Sequence, residues 1–410
     1  MPFNIHKTII LFLVTIILLT PLSCAIDDSI YVWATLNKEA ISTSSMLNKN
    51  SEGNFLNLTC GSAILIEQNS GNILYEHNIH EQLRPASVTK IMTLLLIMEA
   101  LDSGNITLSD SVPCSEHAAS MGGSQIWLDV KETLTVDEMI KAICVVSAND
   151  CAVAMAEFIS GSEELFVEQM NKRAQELNMN DTCFKNCHGI DVDGHVTSSY
   201  DIALMSRELL VHHPDITKYT TIWMDSLRDG KSELVNTNKL LRNCEGITGL
   251  KTGSTSTALF NISASATRNN LSLIAVIMKG ESSKIRFDEA KKLLDYGFSN
   301  FEYIKYANKG DNVKNLPVIK GTSNLVEIIV QENSGALIPK SEAKNIVTEL
   351  SLPEYIEAPV NAGDIIGEIK FTLNNEILGI CPLVASTSIK KLNLYNIFKY
   401  TCNNWISLLR

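Results

Sequence analysis

The chain is 410 residues long and acidic, with 34 Lys and Arg against 46 Asp and Glu and a formal charge of −12. That length allows two ordinary domains with separate cores, and an acidic chain with no basic stripe ahead of its tail does not suit nucleic acid as a partner. The ten cysteines fall at irregular spacing and draw no disulfide framework. Cys144 and Cys151 sit in apolar helical runs, where a free thiol behaves as a small hydrophobe.

In chain order, Lys7 precedes an almost wholly apolar run, Thr8 to Thr20, followed by Pro21 and then Ser23-Cys24-Ala25. Small residues at Ser23 and Ala25 suit a signal peptidase, so residues 1–25 read as a signal peptide and 26–57 as a lead segment. Lipidation at Cys24 is the rival, but Pro21-Leu22-Ser23 matches poorly what precedes a lipidated cysteine. An uncleaved anchor is a third reading, although the run is short for a spanning helix.

From residue 58 to about 300 the pattern predicts an α/β domain. It opens with a hairpin, Ala63-Ile64-Leu65-Ile66 and Ile73-Leu74-Tyr75 around an Asn69-Ser70-Gly71-Asn72 turn. Ser87-Val88-Thr89-Lys90 follows Pro85 and leads into Ile91 to Leu101, apolar at helical spacing. Ser87 is thereby expected at a helix start, with free N–H groups and the positive dipole end beside it. Lys90, three residues on, shares its face. Alone, such a motif reads as a capping serine and a solvated lysine, and Ser388-Ile389-Lys390-Lys391 fits the same S-x-x-K pattern.

Two further motifs change that reading. Ser147-Ala148-Asn149 lies between the apolar runs Met139–Val146 and Cys151–Ile159, in an expected turn between helices. Lys251-Thr252-Gly253 precedes a stretch through Phe260 and Ile262 that reads as a strand, whose edge could pair with an extended peptide. Leu271–Ile277 predicts another strand and Ser283–Tyr296 a helix. S-x-x-K, S-x-N and K-T-G in this order are the signature of penicillin-recognising serine acyl-transferases, whose serine attacks a D-alanyl peptide or a β-lactam ring. Cys183, Cys187 and His188 resemble metal ligands superficially, but no second pair completes a site.

Short alternating runs follow at Leu325–Val330, Ile346–Leu350, Ile365–Phe371 and Ile377–Ile380, predicting a small all-β domain over 301–386. The last segment, 387–410, carries Leu394, Ile397, Phe398, Thr401, Trp405, Leu408 and Leu409 at spacings of three and four, with Lys390, Lys391, Lys399 and Arg410 as its charges. A basic amphipathic helix with Tyr400 and Trp405 suits a membrane surface; the alternative is a helix docked on its own β domain.

With Met121-Gly122-Gly123-Ser124-Gln125, Ala148-Asn149-Asp150-Cys151-Ala152-Val153-Ala154, His188-Gly189-Ile190, Thr197-Ser198-Ser199-Tyr200-Asp201 and Gly249-Leu250-Lys251-Thr252-Gly253 added, the chain from Gly61 to Phe298 resembles the low-molecular-mass penicillin-binding proteins. These are serine-type D-alanyl-D-alanine carboxypeptidases of peptidase family S11. The resemblance implies a β-lactamase/transpeptidase-like catalytic domain, an antiparallel sheet with helices, followed by the small β domain and the C-terminal amphipathic helix.

It further implies Ser87 as nucleophile and Lys90 as general base. An ordinary lysine pKa of about 10.4 must then fall, which burial and the second cation, Lys251, both favour. Ser147 would relay a proton to the leaving amine, and Asn149 would hold substrate amides or Lys90. Lys251, with Thr252 and Gly253, would bind the substrate and meet its terminal carboxylate. The backbone N–H groups of Ser87 and Ser254 would form the oxyanion hole. Ser254 stands where some members carry histidine, a departure expected to tune substrate preference.

Expected partners are peptidoglycan stem peptides, β-lactams as covalent inhibitors and the membrane surface, with no metal and no cofactor. The expected location is the outer face of the cytoplasmic membrane, facing the wall, with a role in limiting cross-linking of wall or spore cortex. Three alternatives share these motifs in part: a D,D-endopeptidase, a silent wall or membrane binding protein, and a β-lactamase. Class A β-lactamases place a glutamate four residues before an asparagine, whereas here Glu168 precedes Asn171 by three.

Overall fold

A computed structural model describes residues 54–393 and Phe398. The expected signal peptide, the expected lead segment to residue 53 and, apart from Phe398, the expected terminal helix beyond 393 lie outside the described residues. The catalytic domain begins before residue 58. Asn54 Oδ1 accepts from Leu58 N and from the Tyr75 hydroxyl, and Phe55 packs edge-on against Tyr75 and Tyr296.

The expected hairpin forms as β1 (Ser62–Glu67) and β2 (Ile73–His77), with Leu65 opposite Tyr75. A single 3-10 turn, Ala86–Thr89, runs into α1 (Lys90–Asp102), which is apolar on nearly every side and therefore buried. Then come α2 (Val136–Val145), opened by a Thr135/Glu138 capping box, and α3 (Asn149–Ser160). Ser162 caps α4 (Glu163–Glu176) and Ser198 caps α5 (Ser199–His212).

Three long strands follow, β3 (Ile247–Thr255), β4 (Leu259–Arg268) and β5 (Leu271–Gly280), and then α6 (Ser283–Asn300). The five strands form one antiparallel sheet in the order β2-β1-β5-β4-β3. Both faces are covered. Ile64, Ile66, Ile274 and Val276 pack with α1 to α3, while the alternating Ala63, Leu65, Leu273 and Ile277 pack against Leu293 and Leu294 of α6. Strands covered on both faces read as continuous apolar runs, which is why β1 and β5 stood out in the sequence. β3 is left at the edge, beside the turn that carries Ser87.

The β domain contains β6 (Phe301–Ala307), β7 (Asn312–Ile319), β8 (Leu325–Val330), β9 (Ser334–Pro339), β10 (Ile346–Ser351), β11 (Ile356–Glu357), β12 (Ile365–Leu373) and β13 (Glu376–Ala385). Six of them form a sheet in the order β10-β12-β13-β8-β7-β11, and β6 pairs with β9. Leu316, Ile328, Phe371 and Leu383 build its own core, and Tyr306 stacks on Phe371 at 4.1 Å. The boundary expected at 386 falls short, because Ile389 bridges Val360 and Lys391 bridges Gly321. Among the described residues no helix is long and apolar enough to cross a membrane.

Candidate active site

Ser87 is half-exposed between buried neighbours, in the turn that precedes α1. The backbone leading to it is held from several sides. Ala86 has φ 48°, a left-handed conformation that costs a non-glycine residue on the order of 1–2 kcal/mol. Thr89 Oγ1 donates to Ala86 O at 2.9 Å, and Asn261 Nδ2 donates to Arg84 O and Pro85 O at 2.9 and 3.0 Å. His195 Nδ1 accepts from Lys185 N, which leaves Nε2 to donate to Thr89 Oγ1 at 2.8 Å. Burial pushes this histidine down to about 4, so it is neutral at pH 7.

Two close approaches admit only glycine. A Cβ on Gly189 would lie 2.0 Å from Ala86 O, and one on Gly253 would lie 2.8 Å from Pro85 O and 2.9 Å from Ser87 N. Their absence lets the loop 186–190 and strand β3 press against the nucleophile turn.

Lys90 Nζ is fully buried and reaches three oxygens: Ser87 Oγ at 3.1 Å, Asn149 Oδ1 at 2.6 Å and His188 O at 2.6 Å. Burial first, and then the positive charge of Lys251, hold its pKa well below the ordinary lysine value. The contacts fix what the neutral amine does. Two of the three oxygens are carbonyls and can only accept, so they take both N–H bonds and leave the lone pair directed at the Ser87 hydroxyl. Asn149 is itself pinned, its N donating to Ser124 O and its Nδ2 to Gly122 O, each at 2.7 Å. Its oxygen therefore faces Lys90, the contact that the lysine-holding one of its two expected roles requires.

Ser147 lies between α2 and α3, as the spacing required, with φ 66°. Its buried Oγ has no hydrogen-bond partner among the described residues. An unpaired buried hydroxyl costs about 1–3 kcal/mol, and its free donor and acceptor capacity is what a proton relay uses.

Lys251, Thr252 and Gly253 lie within a strand of their own, β3, and the strand expected after them, through Phe260 and Ile262, is present as β4. Alternation puts Lys251 and Gly253 on one face of the strand. Lys251 Nζ is buried and donates to Thr252 O at 3.1 Å, and burial brings its pKa down to about 7. Thr252 Oγ1 donates to Thr237 Oγ1 at 2.7 Å, Gly253 O accepts from Arg286 Nη1 at 3.0 Å, and Ser254 is exposed.

Several positioning groups escaped the sequence. The carbonyls of His188, Gly122 and Ser124 hold Lys90 or Asn149, and Glu163 joins the two loops that carry them. Its Oε1 accepts from Cys187 N at 3.0 Å, and its Oε2 lies 2.9 Å from His117 Nε2. The only signal for these was the presence of His188-Gly189 and Gly122-Gly123 in the quoted motifs. The competing features are placed elsewhere. Ser388 lies in the β domain, its Oγ accepting from Ala362 N. Glu168 is exposed on α4, and Asn171 ties Val167 and Phe184 together. The described cysteines are unpaired, and Cys187 is buried with its thiol pushed up.

Comparison with known proteins agrees with this arrangement. Residues 48–282 match the family model for D-alanyl-D-alanine carboxypeptidase, peptidase S11, and residues 301–391 match that for the C-terminal domain of penicillin-binding protein 5. The chain is 44% identical over 348 residues to the D-alanyl-D-alanine carboxypeptidase DacF of Bacillus subtilis, covering 84% of this chain and 89% of the relative. It is 31% identical to DacC of Escherichia coli, covering 80% and 84%. Penicillin-binding protein 5 from Haemophilus influenzae superposes with a TM-score of 0.68 at 32% identity, over 82% of this chain and 98% of that one. Penicillin-binding protein D2 from Listeria monocytogenes, in its ampicillin-bound form, gives 0.55 at 28%, over 59% and 99%.

Proposed function

The chain belongs to peptidase family S11, the D-alanyl-D-alanine carboxypeptidases, and from that premise we propose how its residues divide the work. The enzyme removes the C-terminal D-alanine from peptidoglycan stem pentapeptides through a serine acyl-enzyme, and penicillin acylates it covalently. In our reading Ser87 Oγ attacks the carbonyl between the two D-alanines while Lys90 Nζ takes the hydroxyl proton. The oxyanion sits against the N–H groups of Ser87 and Ser254. Collapse breaks the C–N bond, the leaving amine receives a proton through Ser147, and D-alanine departs. Water then attacks the ester, giving a proton to Lys90, and Ser87 is restored.

Lys251 meets the terminal carboxylate. Its ammonium has one carbonyl partner before substrate arrives, so an incoming carboxylate completes its pairing and favours its charged form. The stem peptide lies extended along the open edge of β3. The observation that carries this reading is the triple contact of Lys90 Nζ, which leaves its lone pair facing Ser87.

The test is D-alanine release from diacetyl-L-Lys-D-Ala-D-Ala by the chain from Ile26 onward, with Ser87→Ala beside it. Release that falls on the order of 10⁴-fold or more in the variant is expected, together with loss of penicillin labelling. Labelling that persists at another serine overturns the assignment. A β-lactamase reading lacks support, since Glu168 faces solvent on α4.

Residues 1–25 complete the proposal as an export signal, and the basic amphipathic tail as an anchor on the outer face of the cytoplasmic membrane. There the enzyme limits cross-linking of the wall or spore cortex. Removing 392–410, which spares the bridge at Lys391, should release the protein from membranes with its activity kept; unchanged retention refutes the anchor.

A further inference from the structure

Trp127 is 74% exposed, yet its backbone is held on both sides. Its φ is 54°, a genuine outlier for a bulky residue and one that persists only where the surroundings enforce it. The residues on either side, Ile126 and Leu128, both donate their N–H to Asp150 Oδ2 at 3.1 Å. Arg228, paired with Glu132, donates to Ile126 O at 2.9 Å and to Trp127 O at 3.3 Å. With the Gln125 amide oriented to satisfy both ends, its oxygen accepts from Trp127 Nε1 at 3.3 Å and its nitrogen donates to Met121 O at 2.7 Å. The indole is thus held outward in one orientation.

The place is specific. Asp150 follows Asn149, and Gly122 and Ser124, just before Trp127, supply the carbonyls that hold Asn149. The ring therefore stands on the loop that forms the Asn149 side of the cleft. A single exposed apolar residue normally needs no explanation. A strained backbone under an exposed ring, on the loop that holds Asn149, does.

We propose that Trp127 is a specificity-determining residue that packs against the substrate beyond its D-alanyl-D-alanine end, on a C–H-rich face. That face belongs either to the upstream stem peptide or to the N-acetylated sugar that carries it. The proposal rests on the carboxypeptidase reading above and extends it from the scissile bond to the donor arm. Aromatic rings favour such faces because they offer large apolar area at little conformational cost.

The test compares kcat/KM for three substrates: diacetyl-L-Lys-D-Ala-D-Ala, the free stem pentapeptide, and the same pentapeptide on its disaccharide. Trp127→Gly removes the ring while suiting a positive φ, and penicillin acylation of Ser87 reports an intact fold. The expected result is a penalty on a longer substrate about three- to tenfold greater than on the tripeptide, with Trp127→Phe largely restoring it. A gap already present with the free pentapeptide assigns the contact to peptide; one that appears only with the disaccharide assigns it to sugar. Equal penalties on all three, or none, overturn the proposal. A wild-type chain that releases no D-alanine from any of them sinks the carboxypeptidase reading and this proposal together.

Discussion

Among the described residues, every buried polar or charged residue lies between Ser62 and Glu289, in the catalytic domain, while the β domain buries apolar residues around Leu316, Ile328, Phe371 and Leu383. Taking polar groups out of water costs free energy unless each finds a partner. The catalytic domain accepts that cost at Lys90, Ser147 and Lys251, where ordinary stability would favour apolar side chains. The β domain buries no whole polar residue among the described residues, only the Tyr306 hydroxyl and Ser386 Oγ without a partner, and follows the alternation of a sheet with one wet face. Buried polar and charged residues are therefore concentrated in the domain that does the chemistry.

The contrast is sharpest at Lys90. Lys90→Met should lower the rate of penicillin acylation by about 10²- to 10⁴-fold, measured with a fluorescent penicillin. A wild-type rate in that variant would remove the lysine from the mechanism. Because burial and Lys251 depress its pKa, the active form is the neutral amine. Wild-type acylation should fall as the pH is lowered through the depressed pKa of Lys90 and the amine protonates; a rate that rises toward acid breaks the assignment.

Asn149→Ala removes one acceptor from Lys90 and strands Gly122 O. A loss of about ten- to a hundredfold in acylation is expected, the range for a hydrogen bond to a group that becomes charged. A change under twofold would mean that His188 O alone orients the amine.

Lys251→Met separates function from stability within one residue. Hydrolysis of substrates with a free terminal carboxylate should fall more than that of their amides, and equal losses would point to proton transfer instead. Stability should move the other way. The folded pKa is about 7 against an ordinary value of 10.5, so between those values the unfolded chain binds a proton that the folded chain does not. Wild-type stability therefore rises with pH across that window, and the burial penalty is largest at and below about pH 7. There Lys251→Met should gain up to about 5 kcal/mol, a gain that shrinks toward pH 10.5. Denaturant melts at pH 7 and 10 check the sign.

Phe371→Ala should do the reverse. Loss of its stacking on Tyr306 costs the β domain about 3–5 kcal/mol, while Ser87 acylation stays within twofold of wild type. A larger fall in acylation would show that the two domains are coupled.

What was legible in the sequence follows the same division. Ser87 and Lys90 share a face at the start of α1, and Ser147 and Asn149 flank the turn into α3, because each pair is set by local spacing. The hairpin of β1 and β2 and the strand β5 were visible as apolar runs. The carbonyl of His188, the amide of Asn261 and the carboxylate of Glu163 were not, since each acts on a segment distant in sequence and two of them act on backbone groups. The strand through Phe260 and Ile262 was read and forms β4, while β3 before it was not read, because Gly249 and Gly253 weaken its strand pattern. β7 and β9 were missed because Pro317, Gly335 and Pro339 interrupt alternation in strands that are only half apolar.

The two glycine contacts also restrict how this enzyme could evolve under antibiotic selection. Resistance by steric exclusion needs a side chain that grows toward the acylated serine, and at Gly189 and Gly253 any such growth collides with backbone within 3 Å. Change is thereby left to side chains already in solvent, such as Ser254, which can vary without dismantling the turn that carries Ser87.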